Sequence, residues 1–357
     1  MITQYSLTPE WLTEKRLVYK KSDPSIMERV IYALHLLEEL TKTDLTFIFK
    51  GGTSLLLLMD EPARFSIDID IIISNKITKE ELEKELSKII GVNAFKSFEL
   101  DERRSYRGDI PKAHYRFIYN SATIKKEQEI LLDILFEESS YPTLVKRPIT
   151  CEWIHHEGAP LVVTTPDIHS ITGDKLTAYA PNTIGVPYGR DKEKEIIKQL
   201  FDVGTLFDQI TDIEIVKVSF IAIAEKELLY RKDKKLTLDD VLNDIFETGL
   251  LLARRDTQPD SISTKNLSEL KKGISQFGYF IYKGNFRIED AQLASAKAAY
   301  LSAMIKSDYK GEIKKHTIGI STERILHIDF QYLNKKLKFV PEALFYWNET
   351  IKLLYTE

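Results

Sequence analysis

Two aspartates, Asp68 and Asp70, stand two apart in a run of isoleucines (Ile67, Ile69, Ile71, Ile72 and Ile73). In a strand, residues i and i+2 point to one face, so both carboxylates project together. Like charges held that close repel unless a cation lies between them. Just upstream, Lys50-Gly51-Gly52-Thr53-Ser54 reads as a glycine turn opening an apolar helix. Gly51 and Gly52 let the backbone approach a ligand, and the first N–H groups of the helix favour an anion. The Thr53 and Ser54 hydroxyls add donors, and Ser66 shares the strand face of Asp68. Carboxylate oxygens beside an anion-binding turn suit Mg²⁺, two ions in the usual arrangement, and a nucleoside triphosphate.

A third carboxylate fits the same chemistry. Asp133 is the lone polar residue in Ile130-Leu131-Leu132-Asp133-Ile134-Leu135-Phe136. A charge in a central strand is expensive unless paired or metal-bound. Asp133 is therefore expected on a strand beside Asp68 and Asp70, as a metal ligand that also takes the proton of an attacking hydroxyl. The alternative is a structural aspartate at a strand end.

Gly51-Gly52-Thr53, a short helix, then Arg64-Phe65-Ser66-Ile67-Asp68-Ile69-Asp70 resembles the first motif of the DNA polymerase beta-like nucleotidyltransferases. More narrowly, the chain resembles the AbiEii/AbiGii-type toxins of abortive-infection and type IV toxin–antitoxin pairs. Asp174-Lys175-Leu176-Thr177-Ala178 and Ile196-Ile197-Lys198-Gln199-Leu200-Phe201-Asp202 resemble that family's third and fourth motifs. The resemblance implies a growth-blocking toxin that moves a nucleoside monophosphate from an NTP to RNA, at a tRNA 3′ end. It implies a separately encoded, DNA-binding antitoxin as partner. By spacing alone Lys175 is a solvated helix lysine; the resemblance makes it a phosphate-facing catalytic residue, with Asp202 orienting it. Lys198, four residues before Asp202, is the competing partner on one helix face. Gln199 stands where the family often has an acid.

From Arg103 to Lys126 the bases are Arg103, Arg104, Arg107, Lys112, Arg116, Lys125 and Lys126, interleaved with Tyr106, Tyr115 and Tyr119. Bases with aromatics can grip a phosphodiester chain and stack on nucleobases. A solvated hairpin with lysine-guarded edges is the bland reading. The loop Pro181–Lys192, rich in glycine and proline, is long for a helix–helix connection and could cap a nucleotide.

The 357 residues suffice for two packed units. The net charge of −4 says little about partners. A single cysteine, Cys151, excludes a disulfide framework and a multi-thiolate zinc site. There is no phosphate-loop signature and no Ser-His-Asp order. No apolar run is long enough for a membrane helix and no signal peptide is visible, which points to the cytoplasm.

Apolar periodicity predicts helices over 8–18, 24–42, 53–59 and 78–90, and strands over 45–49, 66–74, 94–101, 113–120 and 128–136. Residues 139–165, with Pro142, Pro148, Gly158 and Pro160, read as surface connection. Beyond 166 the pattern is helical: 167–179, 192–209, 212–230, 237–254, 264–277, 288–306 and 341–355. The expected fold is α+β, a mixed-sheet nucleotidyltransferase unit (1–165) flanked by helices, then a helical domain (166–357) supplying Lys175 and Asp202. Two rivals remain: transfer to a small molecule or protein, and an inert fold that only binds RNA or a partner.

Overall fold

The computed structural model describes every residue except 75–76, 92–93, 107–109, 232–234, 256–259, 318, 320–321 and 356–357. The chain forms two compact units. The first comprises Met1–Ser140, Leu144–Asp167 and Tyr279–Gly284; the second comprises Tyr141–Thr143, Ile168–Gly278 and Asn285–Glu357.

The first unit opens with helices α1 (Pro9–Val18) and α2 (Pro24–Leu40). Asp23 caps α2 by accepting from the Ser25 N–H, and Pro24 is pre-set for the first turn. Strand β1 (Phe47–Lys50) runs directly into α3 (Gly51–Leu58). After β2 (Ile69–Ile73), a reciprocal Thr78/Glu81 capping box starts α4 (Lys79–Ser87). Strands β3 (Phe95–Leu100), β4 (Lys112–Asn120) and β5 (Glu127–Phe136) follow. They complete a five-stranded mixed sheet in the order β1-β2-β5-β4-β3, with β2 and β5 parallel and the other pairs antiparallel.

Alternation along β4 and β5 decides which sheet face is closed. Ala113, Tyr115, Phe117, Tyr119, Ile130, Leu132 and Ile134 are buried in the same core cluster as α2. Tyr32 of α2 stacks on Tyr119 with ring centroids 3.7 Å apart. Full burial of such an apolar side chain is worth roughly 1.5–3 kcal/mol. A one-residue slip would turn the whole set outward, so the register is firmly set. The opposite face then carries Asp70, Asp133, His114, Arg116 and Glu129.

Residues 139–165 correct the expectation of plain surface connection. Strands β6 (Leu144–Pro148) and β7 (Val162–Pro166) pair as an antiparallel two-stranded sheet, and Ile149, Trp153 and Ile154 between them are buried in the core. Of the prolines that suggested a loop, Pro148 closes β6, where a missing N–H does no harm, and Pro142 and Pro160 each stand two residues before a strand begins.

The second unit is helical: α5 (Ile168–Ala178), α6 (Glu193–Phe207), α7 (Ile213–Tyr230), α8 (Leu238–Arg254), α9 (Ser261–Phe277), α10 (Ile288–Lys306), α11 (Leu333–Lys336) and α12 (Pro341–Tyr355). Asp212, Thr237 and Asp260 cap α7, α8 and α9 through their side chains. Gly204 lets α6 lie close to α10, since a Cβ there would meet the Ala294 Cβ at 2.7 Å. Among the described residues no helix is long and apolar enough to cross a membrane.

Candidate active site

The turn from β1 into α3 is built around one carboxylate. Gly51 has φ +78°, and a Cβ there would lie 2.1 Å from Asp70 Oδ2. Both facts require glycine: the backbone is left-handed, and the space a side chain would take is filled by Asp70. Gly52 is similarly closed in, its would-be Cβ 2.6 Å from Arg64 Nη2 and 2.8 Å from Ser66 Oγ.

Strand pairing then lines up a row of polar residues. Lys50 pairs with Asp70 across β1 and β2, Asp70 with Asp133 across β2 and β5, and His114 with Asp133 across β4 and β5. Paired residues share a sheet face, and neighbouring strands lie about 4.8 Å apart. The row Lys50, Asp70, Asp133, His114 therefore crosses four strands on the face that the core leaves open.

Asp68 falls one residue before β2, half-buried. Its backbone carbonyl accepts from Thr53 Oγ1 at 2.5 Å, and Thr53 Oγ1 also lies 2.9 Å from Ser66 Oγ. Ser54 Oγ donates to the Gly51 carbonyl at 2.8 Å. Thr53, Ser54 and Ser66 are all buried; the Thr53 hydroxyl ties α3 to the segment that carries Ser66 and Asp68, while Ser54 closes the first turn of α3 itself. Arg64 is buried too and donates from Nη1 to the Phe65 carbonyl at 2.9 Å.

Asp133 has a partner that the sequence did not disclose. Its Oδ1 lies 2.5 Å from His114 Nδ1. His114 is a single histidine in a strand, with no spacing motif, and only the β4–β5 register brings it to Asp133, 19 residues on.

The donor set decides which cation suits. Asp68, Asp70 and Asp133 offer oxygen only and are half-buried. Among the described residues they do not close into a group with ligand atoms all within 4.8 Å; the group that does is His35, Glu38 and Glu39 on α2. There the Lys42 ammonium lies 2.7 Å from Glu39 and 3.4 Å from Glu38, so a cation already balances the acids. An open carboxylate set fits Mg²⁺, which keeps waters and takes phosphate oxygens, better than zinc, which favours a closed nitrogen and sulfur cage.

In the second unit, Lys175 on α5 and Asp202 on α6 form an ion pair at 3.0 Å, with side chains only 7% and 1% exposed. Lys175 also donates to Gln199 Oε1 at 3.3 Å. Lys198, the competing partner for Asp202, instead lies 3.6 Å from Glu195. Next to Lys175 in sequence, Asp174 accepts from the Tyr141 hydroxyl at 2.5 Å. Gln199 and Tyr141 carried no sequence signal of these roles.

The loop after α5 is tied down at its start. Asp244 on α8 accepts from the Asn182 backbone and side chain at 2.8 and 2.7 Å and from Thr183 Oγ1 at 2.9 Å. Burial raises the Asp244 carboxyl above the usual range, against the lowering effect of those hydrogen bonds. Arg190 and Lys192 at the far end of the loop are exposed.

The basic stretch divides. Arg103 and Arg104 are exposed in the turn between β3 and β4, Lys112 is half-buried, and Arg107 lies outside the described residues. Arg116 lies on the open sheet face, 3.5 Å from Glu99 and 3.9 Å from Glu129. Tyr115 and Tyr119 are fully buried in the core, which corrects their reading as stacking platforms for nucleobases. Strand alternation turns both inward; Tyr106 is the exposed tyrosine of the three.

The profile of a family described as nucleotidyl transferase AbiEii toxin, type IV TA system, matches residues 35–316. No curated protein matches the chain. Two solved structures from Helicobacter pylori are similar at 16% identity. JHP933 covers 79% of this chain and 95% of its own, with a TM-score of 0.45. A candidate nucleotidyltransferase covers 80% of this chain and 99% of its own, with a TM-score of 0.47.

Proposed function

The chain belongs to the AbiEii nucleotidyl transferase toxin family of type IV toxin–antitoxin systems, and on that premise we propose a Mg²⁺-dependent enzyme that transfers a nucleoside monophosphate from an NTP to the 3′ end of a tRNA and so blocks growth. Membership implies a separate antitoxin; that this antitoxin binds DNA, and that the reaction takes place in the cytoplasm, are parts of the proposal. The observation that carries it is the register of Asp70 with Asp133, with Asp68 two residues away and the Asp70 carboxylate pressed onto Gly51.

Asp68, Asp70 and Asp133 would hold the metal, which when bound would neutralise charge on the triphosphate and on the oxygens that gain it during displacement. The RNA 3′ hydroxyl attacks the α-phosphorus, a new P–O ester bond forms, and the bond to the β-phosphate breaks to release pyrophosphate. The hydroxyl proton passes to the Asp133 carboxylate. Gly51 and Gly52 keep the start of α3 free of side chains, so its backbone N–H groups favour a phosphate. Thr53 and Ser66 hold that turn against the Asp68 segment, and Ser54 closes it by donating to the Gly51 carbonyl. Asp202 and Gln199 fix the Lys175 ammonium, a point charge of the kind that suits a departing pyrophosphate. Exposed Arg103 and Arg104, with Arg107, Lys112 and Arg116 in the same basic stretch, favour a polyanionic acceptor over a small molecule.

The test is incubation with each α-labelled NTP, Mg²⁺ and total RNA, followed by sizing of the products. Label in tRNA-sized bands with one NTP, lost on chelation and in Asp70→Asn, is the expected result. Label confined to a small molecule or to protein would overturn the RNA acceptor.

A further inference from the structure

We propose that His114 is a positioning residue for the transfer reaction, one that fixes the Asp133 carboxylate by holding a single one of its oxygens. The inference rests on the proposed chemistry of Asp133 and goes beyond it, because no motif in the chain points to a histidine.

The geometry assigns each atom a part. His114 Nδ1 and Asp133 Oδ1 are 2.5 Å apart, and an ionised carboxylate can only accept, so Nδ1 carries the hydrogen and donates. The other ring nitrogen, Nε2, is buried and has no hydrogen-bond partner among the described residues. A hydrogen there would be an unsatisfied buried donor, which agrees with the hydrogen residing on Nδ1. The imidazole itself has little freedom, being 8% exposed, whereas the Asp133 side chain is 28% exposed. One member of the pair is therefore a fixed support and the other reaches the open sheet face.

The support is anchored from behind. The His114 backbone N–H donates to Ser105 Oγ at 2.8 Å, and its carbonyl accepts from the Asp101 N–H at 2.8 Å. Both partners flank Arg103 and Arg104, so the exposed arginines sit in a turn clamped to the same strand position that holds Asp133. A carboxylate on a strand can rotate about its last torsion and exchange its oxygens. Fixing Oδ1 leaves Oδ2 as the atom presented for chemistry, in one orientation. Outer partners that orient a ligand in this way typically matter by 10- to 100-fold in metal affinity or activity.

Asparagine and glutamine separate this role from simple packing. The Asn amide nitrogen occupies the place of Nδ1, while the Gln amide reaches the place of Nε2. His114→Ala and His114→Gln should lower kcat by roughly 10- to 100-fold, with KM for the NTP unchanged, and His114→Asn should recover most of that loss. Equal rates for the Asn and Gln variants, or a wild-type kcat in His114→Ala, would overturn the inference. An arm independent of turnover uses ¹⁵N-histidine-labelled protein, with His114 identified by the signal missing in His114→Asn. The expected spectrum shows the proton on Nδ1, shifted downfield, with that shift lost in Asp133→Ala. A proton on Nε2 instead would overturn the dyad. If the wild type labels no RNA at all, the proposed acceptor falls, and this spectrum still decides the role of His114.

Discussion

Two carboxylates of this chain each sit beside a nitrogen base, and the two pairs differ in exposure. Asp202 and Lys175 are both sealed, at 1% and 7%, between helices of the second unit. Asp133 is 28% exposed at the open face of a sheet, with only His114 sealed beneath it. In the sealed pair each charge depends on the other, since neither can be hydrated if its partner is removed. In the half-open pair the carboxylate keeps access to solvent and ligand. Similar groupings thus do different work: one fixes a lysine, the other presents a carboxylate.

The largest expected effect breaks the sealed pair. Asp202→Asn should destabilise the protein by roughly 3–5 kcal/mol, because it leaves a buried ammonium uncompensated. Asp133→Asn should cost only about 1 kcal/mol while abolishing transfer. Urea unfolding of the two variants reads the contrast directly. Equal losses would erase the distinction between the pairs.

A second histidine sharpens the comparison. His35 is as buried as His114, but neither of its ring nitrogens has a hydrogen-bond partner among the described residues. Burial holds its imidazole down at about 4, against 6.5 ordinarily, with Glu38 pulling it up and Lys42 pushing it down. Between these values the unfolded chain binds a proton that the folded chain does not. The stability contribution is therefore complete above about pH 6.5 and is lost as pH falls toward 4, by roughly 3 kcal/mol in total. His35→Phe, which can keep the stacking on Phe95, should flatten that dependence when unfolding midpoints are compared at neutral and acid pH. An unchanged slope would contradict it.

A smaller loss of stability than that of Asp202→Asn is expected from Gly51→Ala. A non-glycine residue at this positive φ costs roughly 1–3 kcal/mol, and the new methyl must displace the Asp70 carboxylate. Transfer should be lost, while Lys175 and Asp202 in the other unit remain paired. Retained transfer would show that the Asp70 position is not critical.

Period-two and period-3.6 patterns place the strands of the sheet and the long helices after 166 within a few residues, because burial on one face dictates both; the single turn of α11 is too short to show a period. Asp68 and Asp70 were visible because two charges in an isoleucine run have no bland explanation. His114 was not, since one histidine in a strand means nothing until strand order β2-β5-β4 sets it beside Asp133. Local spacing offers Lys198 as a partner for Asp202, the resemblance offers Lys175, and tertiary packing brings Lys175 there. The hairpin of β6 and β7 was hidden by prolines that mark strand ends as readily as loops. Tyr115 and Tyr119 looked like binding residues because base-and-aromatic composition ignores which way a strand turns each side chain.

The central claim is that the carboxylates beside Gly51 grip a metal and, through it, an NTP. Calorimetric titration of NTP into the wild-type protein and into Asp70→Asn, each with and without Mg²⁺, measures this most directly. The wild type should bind only with Mg²⁺, and the variant should not bind in either condition. Binding of equal strength without Mg²⁺, or with Asp70 replaced, would contradict the account.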